Sequence, residues 1–418
     1  MTDLDLPLDV RVVSLDDLLP DPANPLRIAA AELDALERSI RAHGLVQPLV
    51  VRAANNQLIG GHQRWIAARR AGLTQATAVF LDLDEDRARV LGVALNRIGG
   101  EFDRPLLARL LADLSDRPGV DLALTGLGPL EIRGLLHSLD ARAKRDRPES
   151  FDLERTIAEA SATMRVRRGD VWALGEHRIG CGDATERGDV AGVLGASRAR
   201  MLFTDPPYGV RLGDHGGQQR NQRRRRIAND DLAPEAFEAF VRGWATTVVS
   251  SCDGAVYICM SSKELPTVCR ILAEAGAHWS DTIIWAKDRF VVGRANYQRG
   301  YEPIWFGWRA GAKPYWSGAR DQSDVWQIDR PSSSPLHPTM KPLELMERAL
   351  KNSSQEGDVV FDPFLGSGST LIACDRTGRI CAGLEIDPVF AEVTIRRWEQ
   401  FTGGTAVRVT PDADRVDE

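Results

Sequence analysis

The sequence predicts an α/β protein in two parts: a mostly parallel sheet faced by helices, preceded by a smaller α+β domain. Three observations point there. The chain's 418 residues exceed what one hydrophobic core usually organises. Beyond Arg165 short apolar strands alternate with helical stretches, the pattern of a parallel sheet. Between the two parts, Ala141 to Ser150 (ARAKRDRPES) is charged, proline-bearing and free of apolar periodicity. The expected layout is a domain over 1–140, a linker over 141–164 and a second domain over 165–418.

Composition narrows the function classes. Hydrophobic residues make up 43% and charged residues 27%, and no apolar run approaches the roughly 20 residues that span a bilayer. The acidic start, MTDLDLPLDV, lacks the basic and apolar segments of a secretory signal, so a cytoplasmic protein without a membrane partner is expected. The six cysteines form no C-x-x-C pair and no zinc-ligand spacing, so they read as small buried hydrophobes and no metal is expected. A formal charge of −6 argues against nonspecific coating of nucleic acid but leaves room for a local basic groove.

Along the first part, Leu33, Leu36 and Ile40 recur at helical spacing and Gly44 stands where a helix would end. VQPLVV and QLI flank a turn at Ala53 to Asn56 and read as two short strands. A helix from His62 to Ala71 closes at Gly72, a strand spans Ala76 to Phe80, and two helical stretches run to about Leu139. In the second part the strands are ARMLFT, GAVYICM, DTIIWA, DVVFDPF and ICAGLEI, and ligands of such sheets bind at the carboxyl ends of strands.

ARMLFT runs into Asp205-Pro206-Pro207-Tyr208. The two prolines have no N–H to donate and leave a rigid turn whose carbonyls point outward as acceptors. An exocyclic amine offers two N–H donors, which Asp205 and the Pro206 carbonyl would accept while Tyr208 gives the base a face to stack on. Taken alone, the same residues describe an ordinary surface turn.

The strand at Val359 to Phe361 runs into Asp362-Pro363-Phe364-Leu365-Gly366-Ser367-Gly368-Ser369-Thr370. Glycines let a ligand approach the backbone and a helix N-terminus offers free N–H groups. No G-K-[ST] follows, so this is not a phosphate loop, and the dinucleotide fingerprint lacks its third glycine. Asp362 would suit a ligand's ammonium group, and Glu385, ending the next strand, two ribose hydroxyls. An amino acid joined to a nucleoside describes S-adenosyl-L-methionine (AdoMet), although Glu385 alone could equally be a loop or capping residue.

Together these residues resemble the amino-methyltransferase family that acts on DNA. Its (D/N/S)PP(Y/F/W) motif matches Asp205 to Tyr208, and its AdoMet motif D-P-F-x-G-S-G-T matches Asp362 to Ser369, with serine last and Thr370 following. His337-Pro338-Thr339-Met340-Lys341-Pro342 resembles the element that precedes the AdoMet motif and helps hold the cofactor, and Cys181-Gly182-Asp183 the element whose acid sits by the cofactor's adenine. The catalytic motif comes first, an order similar to the group called beta. The resemblance covers Arg165 to Gly403. It implies a Rossmann-like AdoMet-dependent methyltransferase sheet, AdoMet as cofactor, and base flipping in DNA. Asp205, Pro206, Pro207 and Tyr208 would be catalytic. Asp183, Lys341, Asp362, Pro363, Phe364, Gly366, Gly368, Ser369, Thr370 and Glu385 would bind the cofactor. The aspartate form of the catalytic motif is typical of adenine methylation at N6, with N4 of cytosine the alternative. Related N-P-P-Y enzymes acting on RNA or protein glutamine usually place the AdoMet motif first.

DNA is the expected partner, with a homodimer left open. Arg220, Arg223, Arg224, Arg225 and Arg226 follow the catalytic turn closely and are candidate phosphate contacts, or else a solvated loop. Residues from Lys287 to Trp326 are rich in cations and aromatics and lie where the family places target recognition; core packing would explain the tryptophans as well.

Val10 to Gly100 resembles the ParB N-terminal (ParB/sulfiredoxin-like) domain, through Asn24-Pro25, Gly44-Leu45-Val46-Gln47-Pro48-Leu49-Val50-Val51 and Leu58-Ile59-Gly60-Gly61-His62-Gln63-Arg64-Trp65-Ile66-Ala67-Ala68. His62, Gln63 and Ile66 replace a glutamate and two arginines of the usual G-E-R-R-W-R-A-A. The domain is therefore expected to be an accessory with an altered pocket, and His62 a helix-start residue. A ParB-like partition protein with a dead second domain is the remoter alternative, opposed by the intact Asp205, Tyr208, Asp362 and Glu385.

Overall fold

The computed structural model describes residues 9–28, 30–96, 101–145, 147, 149, 151–209, 228–229, 231–291, 296–317, 320–329 and 341–409. Two compact units divide the chain, Met1–Asp140 and Ala141–Glu418.

The first unit contains β1 (Asp9–Ser14), β2 (Leu26–Arg27), α1 (Ala30–His43), β3 (Leu49–Arg52), β4 (Gln57–Gly60), α2 (His62–Arg70), β5 (Gln75–Leu81), α3 (Glu85–Asn96), β6 (Glu101–Phe102), α4 (Arg104–Ser115) and α5 (Pro129–Arg145). The last of these runs on past the unit's end. A four-stranded sheet is ordered β1-β5-β3-β4, and β2 and β6 form a separate ribbon. Leu49, Val51, Leu58, Ala76, Ala78 and Phe80 from the sheet and Ile40, Ala67 and Ala68 from the first two helices share one core. A second core joins α3, α4 and α5 through Val90, Val93, Leu107, Leu111, Leu114 and Leu135. Three helices thus follow β5 where the apolar pattern indicated two stretches. Asp103, accepting from Leu106 N at 3.1 Å, starts α4.

The second unit opens with α6 (Leu153–Ala162) and a ten-stranded sheet: β7 (Val171–Leu174), β8 (His177–Cys181), β9 (Ala199–Thr204), β10 (Cys252–Cys259), β11 (Ala277–Val291), β12 (Arg299–Arg309), β13 (Val325–Gln327), β14 (Val359–Asp362), β15 (Ile380–Glu385) and β16 (Val407–Arg408). Their order is β13-β11-β12-β10-β9-β14-β15-β8-β7-β16. The five central strands, β10 through β8, are mutually parallel, while β12 and β7 pair antiparallel at either side. DTIIWA lies within the fifteen-residue β11, paired antiparallel to β12. Helices α7 (Arg187–Leu194), α8 (Pro234–Ser251) and α9 (Leu265–Glu274) cover one face with Leu202, Val256 and Phe361. Helices α10 (Leu343–Ser353), α11 (Ser369–Thr377) and α12 (Pro388–Thr402) cover the other with Met201, Phe203, Tyr257 and Val360. Consecutive residues of β9 therefore enter opposite cores, which is why the strand reads as an unbroken apolar run.

The stretch expected as a linker carries structure of this unit. Lys144 pairs with Asp375, Glu149 with the buried Arg397, and α6, capped by Asp152, packs on α12. Polar composition reads as linker because a sequence does not show where the counter-charges will lie. Five cysteines are buried and Cys269 is partly so, with burial raising the thiol pKa of Cys252 to about 12. No described helix is long and apolar enough to cross a membrane.

Pairing of β9 with β10 needs Gly254, where a Cβ would stand 1.6 Å from Arg200 O. We predict that Gly254→Ala destabilises the second unit by about 3 kcal/mol in urea unfolding, the upper range for overpacking. An unchanged midpoint would mean that the β9–β10 contact is looser than described.

Candidate active site

The chain runs from β9 through α8 to β10 on one side of the sheet, and from β14 through α11 to β15 on the other. Strands β9 and β14 are neighbours, with Val360 opposite Met201 and Phe361 opposite Leu202. This is a topological switch point, where a crevice opens at the carboxyl ends of the strands. The turn at Asp205 and the turn at Asp362, distant in sequence, leave the sheet there side by side. Thr204 Oγ1 donates to Asp362 Oδ1 at 2.7 Å and joins them.

Asp362 is buried. Besides Thr204 it accepts from Phe364 N at 3.1 Å and from Thr370 Oγ1 at 2.6 Å. Glu385 is also buried and accepts from Gly366 N at 2.8 Å and Asp387 N at 2.9 Å. Among the described residues neither carboxylate has an ion-pair partner. Burial dominates at both and outweighs these hydrogen bonds, raising Asp362 to about 6 and Glu385 to about 7. Each oxygen of Glu385 keeps one acceptor position for a ligand donor.

The glycine-rich turn is held from behind. Gly368 has φ +83° and a Cβ there would lie 2.8 Å from Thr394 Cγ2. Arg397 donates to Ser367 O at 2.9 Å and to Ser369 Oγ at 3.2 Å. Pro363 is buried, and half-buried Phe364 meets Phe240 and Trp244 of α8 edge-on, both at 6.0 Å. Asp183 closes its own turn by accepting from Thr185 N at 2.9 Å and Thr185 Oγ1 at 2.8 Å, and Gly182 N donates to Glu385 O at 3.0 Å.

Around Asp205 the charges are paired. Lys341 Nζ lies 3.0 Å from Asp205 Oδ2, ion-pairs with Glu302 Oε1, and donates to the Tyr208 hydroxyl at 3.2 Å. That hydroxyl is the donor available to Asp205 Oδ1 and, at 2.8 Å, to Glu302 Oε1. Lys287 Nζ reaches Glu302 Oε2 at 2.9 Å and stands over the Trp285 ring at 4.5 Å. Burial opposes ionisation of Glu302, but Lys341 and Lys287 outweigh it and hold the carboxyl at about 2. Asp205 is raised, by burial first and by Glu302 against the pull of Lys341. Asp205, Cys259 and Glu302 present ligand-type atoms within 4.8 Å of one another, but the ammonium of Lys341 already pairs with both carboxylates.

Lys341, read from the sequence as a cofactor residue, thus joins the Asp205 cluster. Pro206 is buried and Pro207 half-buried within the turn. Arg220, Arg223, Arg224, Arg225 and Arg226, the expected phosphate contacts, lie outside the described residues, as do His337 to Met340 and Arg294. The aromatic segment divides: Trp305 and Trp326 are core, whereas Tyr297, Tyr301 and Trp316 are exposed. Sequence reasoning missed Thr204, Arg397 and Glu302. Glu302 could have been noticed as an acid between the aromatics and cations of that segment.

A DNA methylase family model matches residues 199–396, and a ParB N-terminal domain model matches residues 7–96. The chain carries an N6/N4-type DNA methylase domain and a ParB N-terminal domain. The chain is 26% identical over 223 residues to the Type II methyltransferase M2.MboI of Moraxella bovis, covering 48% of this chain and 81% of that protein. It is 25% identical over 228 residues to M.HpaI of Haemophilus parainfluenzae, covering 49% and 69%. Among solved structures, an M1.HpyAVI–SAM complex aligns with 22% identity and a TM-score of 0.41, covering 53% of this chain and 98% of that one.

In the ParB domain the fingerprint residues bind their own fold. His62 is the first residue of α2 and its Nε2 accepts from Asp21 N at 3.0 Å. Arg64 donates to Gln47 Oε1 and Pro48 O, both at 3.1 Å, and Trp65 Nε1 to Leu15 O at 2.9 Å. Burial lowers the His62 pKa and keeps the ring neutral.

The methylase carboxylates set a pH dependence. An exposed glutamate releases its proton near 4.5, whereas folded Glu385 holds it to about 7, so between these values the native state binds more protons and stability falls as pH rises. Glu385→Gln removes this loss. In ligand-free protein at pH 8 it should be more stable to urea than wild type by about 3 kcal/mol, with no such gain at pH 4.5. Equal gains at both values would refute the assignment.

Proposed function

We propose that this DNA amino-methyltransferase transfers the AdoMet methyl to the exocyclic N6 of adenine at specific DNA sites, after the base has left the stack. The observation that carries the reading is the Thr204–Asp362 hydrogen bond, which sets the turn that would hold the amine beside the turn that would hold the cofactor. The donor set fits AdoMet: Asp362 is a buried carboxylate without a cation at the carboxyl end of β14, suited to the ammonium, and Glu385 retains two acceptor positions suited to the ribose hydroxyls. Pro363, Phe364, Gly366, Gly368, Ser369 and Thr370 shape the turn between them, and Asp183 lies at the end of the neighbouring strand. When bound, AdoMet supplies an electrophilic methyl on a sulfonium.

The chain's own residues orient the amine. Asp205 and the Pro206 carbonyl accept its two N–H groups, which turns the nitrogen lone pair toward the methyl, and Tyr208 offers the ring face. Lys341 keeps Asp205 in place. Taking the base out of the duplex costs a few kcal/mol, which contacts elsewhere on the DNA must offset; the five arginines at 220–226 and the exposed aromatics Tyr297 and Tyr301 are proposed for that role. The aspartate at 205 favours adenine.

Transfer of labelled methyl from AdoMet to unmodified genomic DNA, followed by nucleoside analysis, tests the reading. N6-methyladenine is expected, N4-methylcytosine would replace the base assignment, and unlabelled DNA with AdoMet bound would overturn it. Asp205→Ala should keep AdoMet affinity and lose turnover by roughly 10³-fold or more. Asp362→Ala should weaken AdoMet binding by about ten- to a hundredfold, as loss of a charge-assisted hydrogen bond implies; full affinity in this variant would refute the cofactor site.

A further inference from the structure

We propose that Glu302 is a positioning residue for methyl transfer: clamped by Lys287 and Lys341, it fixes the acceptor geometry and basicity of Asp205 through the shared ammonium of Lys341 and the hydroxyl of Tyr208. The proposal rests on the reading of Asp205 as the residue that holds the amine.

Tyr208 has one hydroxyl proton and stands in contact with two carboxylate oxygens, Asp205 Oδ1 and Glu302 Oε1. Lys341 has three, and each finds an acceptor: Asp205 Oδ2, Glu302 Oε1 and the Tyr208 oxygen. Whatever Glu302 draws from this pool, Asp205 does not receive. Glu302 competes strongly, because Lys287 binds its second oxygen at 2.9 Å and keeps it ionised. Asp205 is left with a weakened share of Lys341 and of the Tyr208 proton, and so remains a better acceptor for an incoming amine.

The other ionisable groups near Asp205 do not take over this function. Cys259 is a buried thiol whose pKa is pushed well above its ordinary value, first by burial, so it stays neutral. Asp362 is already engaged by Thr204, Thr370 and Phe364. Glu302 sits on β12, opposite Trp285 of β11, so its backbone does not depend on the catalytic turn. A glutamate with one ordinary ion pair would only stabilise the fold; here Lys341 and the Tyr208 phenol tie it to both oxygens of Asp205, while Lys287 holds its second oxygen.

Glu302→Gln tests this, because it keeps the shape and removes the charge. With the competitor neutral, Lys341 and the Tyr208 proton turn to Asp205, and its pKa falls. In ligand-free protein labelled with 13C-aspartate, the Asp205 signal, identified by its loss in Asp205→Asn, should titrate roughly one unit or more lower in Glu302→Gln. Turnover on DNA should fall about ten- to a hundredfold, with the acid limb of the kcat profile at lower pH and AdoMet affinity unchanged within about twofold. Lys341→Met should move the Asp205 titration the opposite way. If Glu302→Gln fails to fold, Glu302→Asp, which keeps the charge but draws it back by one methylene, should give a smaller shift of the same sign. An unmoved Asp205 titration, or a fall in turnover with an unmoved acid limb, would overturn the proposal. An Asp205 titration that shifts in Glu302→Gln, with wild-type protein that methylates no DNA, would instead overturn the functional reading and leave the Glu302 coupling standing.

Discussion

The pairing of β14 with β9 is the constraint on which the rest of the methylase unit depends. It places a strand from late in the chain beside one formed much earlier, so that two helical crossovers leave the sheet in opposite directions and a crevice opens between them. Without that pairing, Asp205 and Asp362 would end separate strands with no reason to meet. With it, their separation is fixed by the spacing of neighbouring strands, about 4.8 Å, and by one threonine hydroxyl. Alternate residues of β9 anchored in the two cores hold the strand's carboxyl end still from both faces.

Within the crevice, four carboxylates lie close together under opposite regimes. Asp362 and Glu385 are buried beside backbone N–H groups and hydroxyls but no cation, and desolvation raises both. Glu302 is less enclosed but still largely covered, and two ammonium groups overrule burial and lower it. Asp205 falls between, raised by burial and by Glu302, restrained by Lys341. The half of the site without cations has a deficit that a cationic, hydroxyl-bearing ligand can fill, while the half with cations is internally neutralised and suits an uncharged amine. The proposed cofactor side and base side thus differ in charge balance as well as in position.

The ParB domain uses its fingerprint differently. The side chains at 62 to 65 satisfy backbone groups and a glutamine of the same unit, and a neutral, buried histidine occupies the position of a carboxylate in the family motif. These bonds tie α2 to the segments around Leu15, Asp21 and Pro48, a structural use of residues whose pattern alone looks like a ligand site.

Much of the fold was legible. Amphipathic spacing located α1 and a closing glycine bounded α2, and unbroken apolar runs located β9, β10, β14 and β15, because burial on one or both faces imprints a pattern on the residues themselves. The two motifs of the site were legible too, since proline and glycine restrict the backbone locally. The antiparallel additions β7 and β12, and the edge strand β13 that pairs parallel to β11, were not, because their pairing is set by neighbours far along the chain, and α6 was hidden by its polar surroundings. Lys341 carried a motif that assigned it to the cofactor, and Glu302 carried no motif. The sequence by itself determined that this chain holds a strand-end acceptor turn and a glycine-rich turn, both local properties of a few consecutive residues. Only the tertiary structure decided that they share one crevice, and that Lys341 and Glu302 stand beside Asp205, because electrostatic coupling follows distance in space and residues distant in sequence supply it.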